Sequence, residues 1–241
     1  MKKITLLLLT LSFTASCRQG SNEIDVRNVR TEAGVVAGKA TADGAVKIFR
    51  GIPFAAPPAG ELRWKAPQAA VAWESVRECI ALPASAMQRK PMPFFCWSKE
   101  FLIPDEPISE DCLYLNVWTS AKTDSDKLPV IVWIHGGGFS GGSGTVPLYD
   151  GEQMARKGVL FVTINYRLGA LGFLAHPGLA YDDEGHSGNL GILDQIFALK
   201  WIKENIAAFG GNPDCVTIAG QSAGAMSVHC LMTSPLAKGL F

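Results

Sequence analysis

The hydrophobic positions divide the chain into two parts with different patterns. From residue 113 onward, short apolar runs recur at Leu113–Trp118, Val130–Ile134, Val159–Ile164 and Val216–Ala219. Runs of this length that are rich in Val and Ile are typical of strands in a sheet covered on both faces. Between the last two runs, residues 190–208 carry apolar side chains at the spacing of a helix. This alternation predicts an α/β fold with a mostly parallel central sheet.

The part before residue 113 lacks that alternation. Residues 24–51 contain short β-type runs with glycine between them, such as Gly34–Gly38 and Val46–Phe49, which predict a small antiparallel N-terminal sheet. Nine of the 14 prolines fall between Pro53 and Pro107. Because proline lacks the N–H donor that helices and central strands use, we expect irregular surface structure there.

Composition narrows the classes of function. The 241 residues are 48% hydrophobic and 18% charged, as expected for one packed domain, which we place at residues 24–241. The 22 basic and 22 acidic residues balance, so no net charge favours nucleic acid or an anionic membrane surface. The cysteines and histidines lack the spacing of a zinc site.

Residues 1–17 have the order of an export signal. Two lysines precede an apolar run, Ile4–Leu11, and small residues follow it up to Cys17. This run is shorter than the roughly 20 residues that span a bilayer. We therefore expect a mature protein outside the cytoplasm: secreted, periplasmic or lipid-anchored. The sequence Ala-Ser-Cys is similar to a lipoprotein cleavage box, in which a lipidated Cys17 would attach the protein to a membrane; plain cleavage after Ala15 or Ser16 is the soluble alternative.

The strongest chemical motif is Gly-Gln-Ser-Ala-Gly at residues 220–224. It follows an apolar run and precedes a helix-compatible segment, residues 225–232. In this context Gly-x-Ser-x-Gly is a nucleophile elbow, whose sharp turn requires small neighbours and projects the hydroxyl into a cleft. The helix that begins there places partial positive charge beside a developing oxyanion. The motif predicts Ser222 as a catalytic nucleophile, against the alternative of a merely structural turn.

A second motif, His-Gly-Gly-Gly-Phe at residues 135–139, follows another apolar run. Consecutive glycines let backbone N–H groups turn toward a ligand without obstruction, as the stabilisation of an oxyanion requires. We predict an oxyanion hole formed by the amides of Gly137, Gly138 and Ala223. A flexible glycine loop without chemistry is the alternative. Trp97, Phe139 and Phe173 are candidates for the walls of the cleft, with core packing as the alternative for each.

Five further segments carry a resemblance to a known family: Phe49–Pro58, Glu110–Trp118, Asn165–Gly169, Gly188–Gln195 and Phe209–Pro213. With the two motifs above, they make the sequence similar to the type-B carboxylesterases, the α/β-hydrolase branch that includes the cholinesterases. The resemblance covers residues 32–241. It implies the α/β-hydrolase fold and a serine carboxylesterase that acts on small-molecule esters through an acyl-enzyme, without a metal or organic cofactor.

The resemblance also implies two buried ion pairs with a structural role, Arg63 with Glu110 and Arg167 with Asp194. A charge inside an apolar region must be paired to be tolerated.

One disulfide of the family has no obvious equivalent. The family cysteine that matches Cys112 pairs with a position that is Ala86 here, so Cys79 or Cys96 substitutes, or Cys112 is unpaired. Gln221 stands where cholinesterases often carry Glu, which gives no support for choline esters.

The base that would activate Ser222 is not evident. In this fold the acid and the histidine follow the nucleophile, and the family places both well beyond its helix. None of the four histidines, at positions 135, 176, 186 and 229, fits the role. We therefore expect a truncated gene or an incomplete sequence that lacks the C-terminal part of the fold, with little or no turnover by itself. A non-catalytic cholinesterase-like binding or adhesion module is the alternative.

Overall fold

A computed structural model describes residues 22–93, 95, 97–105, 107–182 and 184–241. The predicted export signal at residues 1–17, including Cys17, lies outside the described residues, as does Cys96. Within the described ranges, no helix has both the length and the apolar character needed to cross a bilayer.

Eleven strands and four α-helices form within the described residues. The strands are β1 (Val29–Arg30), β2 (Val35–Ala37), β3 (Lys39–Ala40), β4 (Lys47–Pro53), β5 (Arg77–Glu78), β6 (Ser85–Ala86), β7 (Ile108–Ser109), β8 (Tyr114–Thr119), β9 (Leu128–Ile134), β10 (Leu160–Ile164) and β11 (Gly211–Gly220). The helices are α1 (Glu152–Ala155), α2 (Gly169–Phe173), α3 (Leu190–Asn205) and α4 (Ala223–Thr233). Each apolar run after residue 112 therefore forms a strand, and the helical spacing forms α3.

The main sheet has six strands in the spatial order β11-β9-β10-β8-β4-β3. Strands β11, β9 and β10 are parallel to one another, whereas β8, β4 and β3 pair in antiparallel fashion. The sheet is thus mixed, and the predicted parallel arrangement holds for its half that includes β9 and β11. Only residues 120–127 separate β8 from β9, too few for the crossover that a parallel arrangement of these strands would need.

The N-terminal strands differ from the expectation. The small sheet contains β1, β2 and β5; β1 pairs with β2 antiparallel, but β2 pairs with β5 parallel. The run at residues 46–49 instead contributes to β4 of the main sheet, where Phe49 and Ile52 are fully buried. Burial of these side chains against β8 decides the placement of β4, which the short glycine-punctuated pattern did not reveal.

The proline-rich region is irregular, as predicted. Between residues 54 and 107, its described part contains two strands of two residues each, β5 and β6, and two short 3-10 turns, Gly60–Leu62 and Lys99–Phe101. The described part of this region therefore adds β5 to the small sheet but no strand to the main sheet.

The two implied ion pairs both form, but only one is buried. Arg167 donates from Nε and Nη2 to Asp194 at 2.8 and 2.6 Å, and the two side chains are 3% and 0% exposed. Arg63 makes the same two-bond contact with Glu110, at 2.6 and 2.7 Å, with 40% and 25% exposure. The expectation of burial was wrong for the second pair, because Arg63 itself belongs to the irregular proline-rich region and is partly exposed to solvent.

The structure excludes one of the two alternative disulfide partners of Cys112. Cys79 and Cys112 are both buried and both free, so Cys79 does not replace the missing family partner. Among the described residues Cys112 makes no disulfide, and burial raises the pKa of its thiol far above the ordinary value. Within the described residues, Cys112 is therefore a buried apolar side chain of the core. The alternative of a disulfide with Cys96 lies outside the described residues.

Candidate active site

Ser222 occupies a strained turn between a strand and a helix. Strand β11 ends at Gly220 and α4 begins at Ala223, so the chain reverses through two residues. The backbone of Ser222 has φ 55° and ψ −119°, a conformation that costs an L-residue about 1–3 kcal/mol. The side chain is exposed at the end of the sheet. The strand, sharp turn and helix that were predicted around Ser222 are thus present.

The two glycines of the elbow are required by close backbone contacts. A methyl group at Gly224 would overlap the carbonyl oxygen of Ile134 and lie 2.9 Å from that of His135. A methyl group at Gly220 would lie 2.5 Å from the carbonyl carbon of Gly224. Helix α4 therefore approaches the end of β9 so closely that no side chain fits between them.

The glycine loop, residues 136–144, contacts the elbow directly. A methyl group at Gly136 would overlap the side-chain oxygen of Gln221 and lie 3.0 Å from Cβ of Ser222. Gly137 and Gly138 have φ of 118° and 61°, which glycine adopts far more readily than other residues. The structure thus brings the loop against the predicted nucleophile, although the two motifs are separated by more than 80 residues.

Three backbone amides at the elbow and the loop have no acceptor within the part of the chain that the structure describes. Among the described residues, nothing accepts a hydrogen bond from the N–H groups of Gly137, Gly138 and Ala223, whereas the amides of Ser140 and Gly141 donate to Gly137 O at 3.1 and 3.0 Å. Unpaired amides near a cleft are the donors from which an oxyanion hole is built. The three predicted residues therefore have the hydrogen-bonding capacity that the prediction requires.

His135 anchors the start of the glycine loop. Its ring stacks on Tyr166 with centroids 4.4 Å apart, and the Tyr166 hydroxyl donates to His135 O at 2.8 Å. Nδ1 of His135 lies 2.8 Å from the carbonyl oxygen of Gly136 and therefore carries the proton. Burial lowers the pKa of His135 to about 4. His135 is thus a neutral structural group at neutral pH.

None of the other three histidines lies at the cleft. His176 accepts a hydrogen bond from Gly178 N at 3.0 Å in a surface turn. The carboxylate of Asp182, 2.8 Å from His186 Nδ1, raises the pKa of that exposed imidazole. His229 lies exposed on α4. Among the described residues that line the cleft, no imidazole faces Ser222.

Ser222 opens into a cleft of about 370 Å³ with largely apolar walls. One side is formed by Gly136–Gly138, Gly141 and Gly142, and the other by residues of the irregular segment after β6. The side chains that this segment contributes are Gln88, Arg89, Pro91, Trp97, Phe101, Leu102 and Ile103. Arg89 is the one formally charged side chain among the described lining residues. The cleft is therefore suited to a largely uncharged small molecule.

Of the three aromatic residues predicted as walls of the cleft, one lines the cleft and two do not. Trp97 lines the cleft as proposed from the sequence. Phe139 and Phe173 instead pack against each other, with ring centroids 4.9 Å apart, and against the hydrophobic core. Core packing was thus the correct alternative for both phenylalanines.

Sequence reasoning missed the side chains that hold the glycine loop. Asn165 accepts a hydrogen bond from Gly144 N at 2.8 Å and donates to Ala84 O at 3.0 Å. Gln88 binds Gly142 in a similar way. The segment that contains Asn165 could have been examined for such a role because it directly follows β10, but Gln88 lies in an irregular segment whose sequence gives no local signal.

Comparison with known proteins shows the family of this chain. The family model described as the Carboxylesterase family matches residues 25–241. The chain belongs to the carboxylesterase family. Relatives within it include a para-nitrobenzyl esterase of Bacillus subtilis, 47% identical over 214 residues, which cover 88% of this chain and 42% of that protein. A fumonisin B1 esterase of Sphingopyxis macrogoltabida is 47% identical over 215 residues, or 88% of this chain and 37% of that protein.

Solved carboxylesterase structures confirm the α/β-hydrolase fold. A PNB esterase superposes with a TM-score of 0.80 at 44% identity and covers 90% of this chain. A carboxylesterase of Geobacillus stearothermophilus gives a TM-score of 0.78 at 45% identity and covers 89%. The matched regions are 43% and 42% of those two chains. This carboxylesterase chain thus spans about two fifths of the length of the relatives it matches.

Proposed function

We propose that the protein containing this chain hydrolyses carboxylic esters through a covalent acyl-enzyme on Ser222. One observation carries the proposal: an exposed hydroxyl on a strained elbow shares a cleft with glycine-loop amides that have no acceptor within the described residues. Family membership supports it, because relatives at 47% identity are named esterases.

The geometry supports a two-step reaction. Oγ of Ser222 attacks the ester carbonyl and its proton passes to a base, while the amides of Gly137, Gly138 and Ala223 receive the negative charge on the carbonyl oxygen. Collapse of the tetrahedral intermediate breaks the bond to the alcohol, which leaves with that proton. Water then attacks the acyl-enzyme by the same route, the bond between the acyl carbon and Ser222 Oγ breaks, and the carboxylic acid leaves while the Ser222 hydroxyl is restored.

The base lies outside the four histidines of this chain. His135 is buried and neutral, and its Nδ1 is hydrogen-bonded to the carbonyl oxygen of Gly136. The other three histidines do not line the cleft. Without an imidazole at hand, a serine hydroxyl is a weak nucleophile at neutral pH. We therefore propose that residues 1–241 alone have little or no esterase activity, and that an acid and a histidine from further sequence complete the site.

The walls of the cleft favour a small ester with an apolar group. Aromatic and aliphatic side chains line one side, and Gln221 rather than an acid lies beside Ser222. No acidic side chain is among the described lining residues, so no carboxylate there pairs with a cationic alcohol. Nucleic acid is not proposed as a partner.

A fluorophosphonate probe tests the nucleophile. In the protein expressed from the complete reading frame, Ser222→Ala should abolish labelling and esterase activity. Ser75→Ala, at an exposed serine outside the cleft, should leave both unchanged. Labelling that persists in Ser222→Ala would refute the assignment, and failure of the unaltered protein to label would favour a non-catalytic binding module.

We also propose that residues 1–17 direct export and that Cys17 is lipidated. Cell fractionation together with labelling by a radioactive fatty acid tests this. Loss of the label in Cys17→Ser, with the protein still exported, is the expected result; an unlabelled exported protein would indicate plain cleavage, and retention in the cytoplasm would refute export.

A further inference from the structure

Gln88 binds both backbone groups of one glycine in the glycine loop. The N–H of Gly142 donates to Gln88 Oε1 at 2.8 Å, and Gln88 Nε2 donates to Gly142 O at 2.8 Å. Nε2 also donates to Ala86 O at 3.0 Å, at the end of β6. The amide thus uses both its protons and its oxygen, which fixes the side chain in one orientation and ties Gly142 to the cleft wall.

The position of Gly142 determines where the start of the loop can lie. A methyl group on Gly142 would overlap the carbonyl oxygen of Gly136 and lie 2.5 Å from His135 Nδ1. A methyl group on Gly137 would overlap the carbonyl oxygen of Gly141. The loop therefore folds back on itself in direct backbone contact, and a displacement of Gly142 moves Gly136 and Gly137 with it.

A loop this rich in glycine is costly to order. Six of the nine residues at 136–144 are glycine, and glycine loses more conformational freedom on folding than any other residue. Donors that stabilise an oxyanion are effective only when they are oriented before the charge develops. The hydrogen bonds from Gln88 therefore add to the order that the loop gains from its own bonds to Gly137 O.

We propose that Gln88 is a positioning residue for ester hydrolysis: by holding Gly142 it orients the amides of Gly137 and Gly138 toward the oxygen of the reacting carbonyl. The inference rests on the proposed function. Gln88 acts through the loop rather than on the substrate carbonyl, although its side chain lines the same cleft as Ser222.

Gln88→Met in the complete protein is the first test. Methionine has similar length and volume but can form none of the three hydrogen bonds. We expect kcat to fall about 10- to 100-fold, up to the loss seen when a single oxyanion donor is removed. KM should stay within about 2-fold, because the oxyanion hole binds the transition state more strongly than the ground-state ester.

An inhibitor that mimics the tetrahedral intermediate separates positioning from general damage. A trifluoromethyl ketone adds to Ser222 and places an oxyanion against the same amides, so its affinity should fall by the same factor as kcat. Gln153→Met makes the same substitution at an exposed glutamine on α1 and should change neither value. Gln88→Asn places the amide one methylene too short to reach Gly142, so this variant should behave as Gln88→Met. It provides the test if the methionine variant does not fold.

The outcomes distinguish this inference from the proposed function. If Ser222→Ala abolishes turnover while both folded Gln88 variants keep kcat within about 2-fold of the unaltered protein, Gln88 does not position the loop. If KM rises and kcat is unchanged, Gln88 binds substrate instead and the inference is also wrong. Turnover that survives Ser222→Ala would overturn the proposed function itself.

Discussion

Replacement of Asp194 by alanine should leave a buried positive charge without its counter-ion. The carboxylate accepts three hydrogen bonds from Arg167, from Nε, Nη2 and the backbone N–H, at 2.8, 2.6 and 3.0 Å. Among the described residues, only Nη1 has another acceptor, the carbonyl oxygen of Lys65 at 2.8 Å. Since the two side chains are 3% and 0% exposed, the guanidinium has little access to bulk water that could replace the lost bonds.

The expected cost in the free energy of unfolding is about 3–5 kcal/mol, the range for removing one partner of a buried pair. Glu110→Ala provides the matched control, because its contact with Arg63 has the same two-bond geometry but is 25–40% exposed. That change should cost about 1 kcal/mol or less. The double variant Arg167→Met/Asp194→Leu should recover most of the stability lost in Asp194→Ala, because no charge then remains buried.

Urea-induced unfolding, followed by tryptophan fluorescence, measures these differences. The reasoning is refuted if Asp194→Ala unfolds within about 1 kcal/mol of the unaltered protein. It also fails if Glu110→Ala costs as much as Asp194→Ala, since burial would then not be the deciding variable.

Two further predictions concern the elbow and the loop. Gly224→Ala should lower the free energy of unfolding by about 1–3 kcal/mol and abolish fluorophosphonate labelling, because the added methyl group overlaps the Ile134 carbonyl oxygen. This overlap outweighs the gain of roughly 1 kcal/mol in helix propensity. Higher stability in urea would contradict the described contact. For His135, burial lowers the pKa from 6.5 to about 4, so the unfolded chain binds more protons between those values and stability should fall as pH drops through this window. His135→Gln should flatten that part of the stability curve. Identical curves for His135→Gln and the unaltered protein would show that His135 is not the cause.

The parallel half of the sheet and the elbow were predictable because their determinants are local. The apolar runs that became β9, β10 and β11 are continuous in the sequence, and the turn at Ser222 carries the small residues that its geometry requires. The position of β4 was not predictable in the same way. Its placement beside β8 depends on the burial of Phe49 in a core assembled from distant segments, which a short alternating pattern does not encode.

In the candidate site, too, the features with local determinants were predictable and those that depend on tertiary packing were not. Each motif is readable by itself, but their contact depends on the packing of α4 against the end of β9, and no local spacing specifies it. The ion pair of Arg63 was foreseen, yet its exposure was not, because burial depends on how an irregular segment covers the surface. Gln88 gave no signal at all, since a single glutamine acquires its role only from the backbone groups that the fold places around it.

The two sides of the cleft have separate origins. Its floor comes from the turns that follow β9 and β11, whereas much of its wall comes from residues 89–103, whose described part contains one short 3-10 turn, Lys99–Phe101. Mutations can therefore accumulate in this part of the wall without altering the strands of the sheet. Under the proposed function, recombination that exchanges residues 89–103 among homologues and keeps Gln88 should change the esters accepted while the floor stays intact, which makes this stretch a suitable target for laboratory evolution.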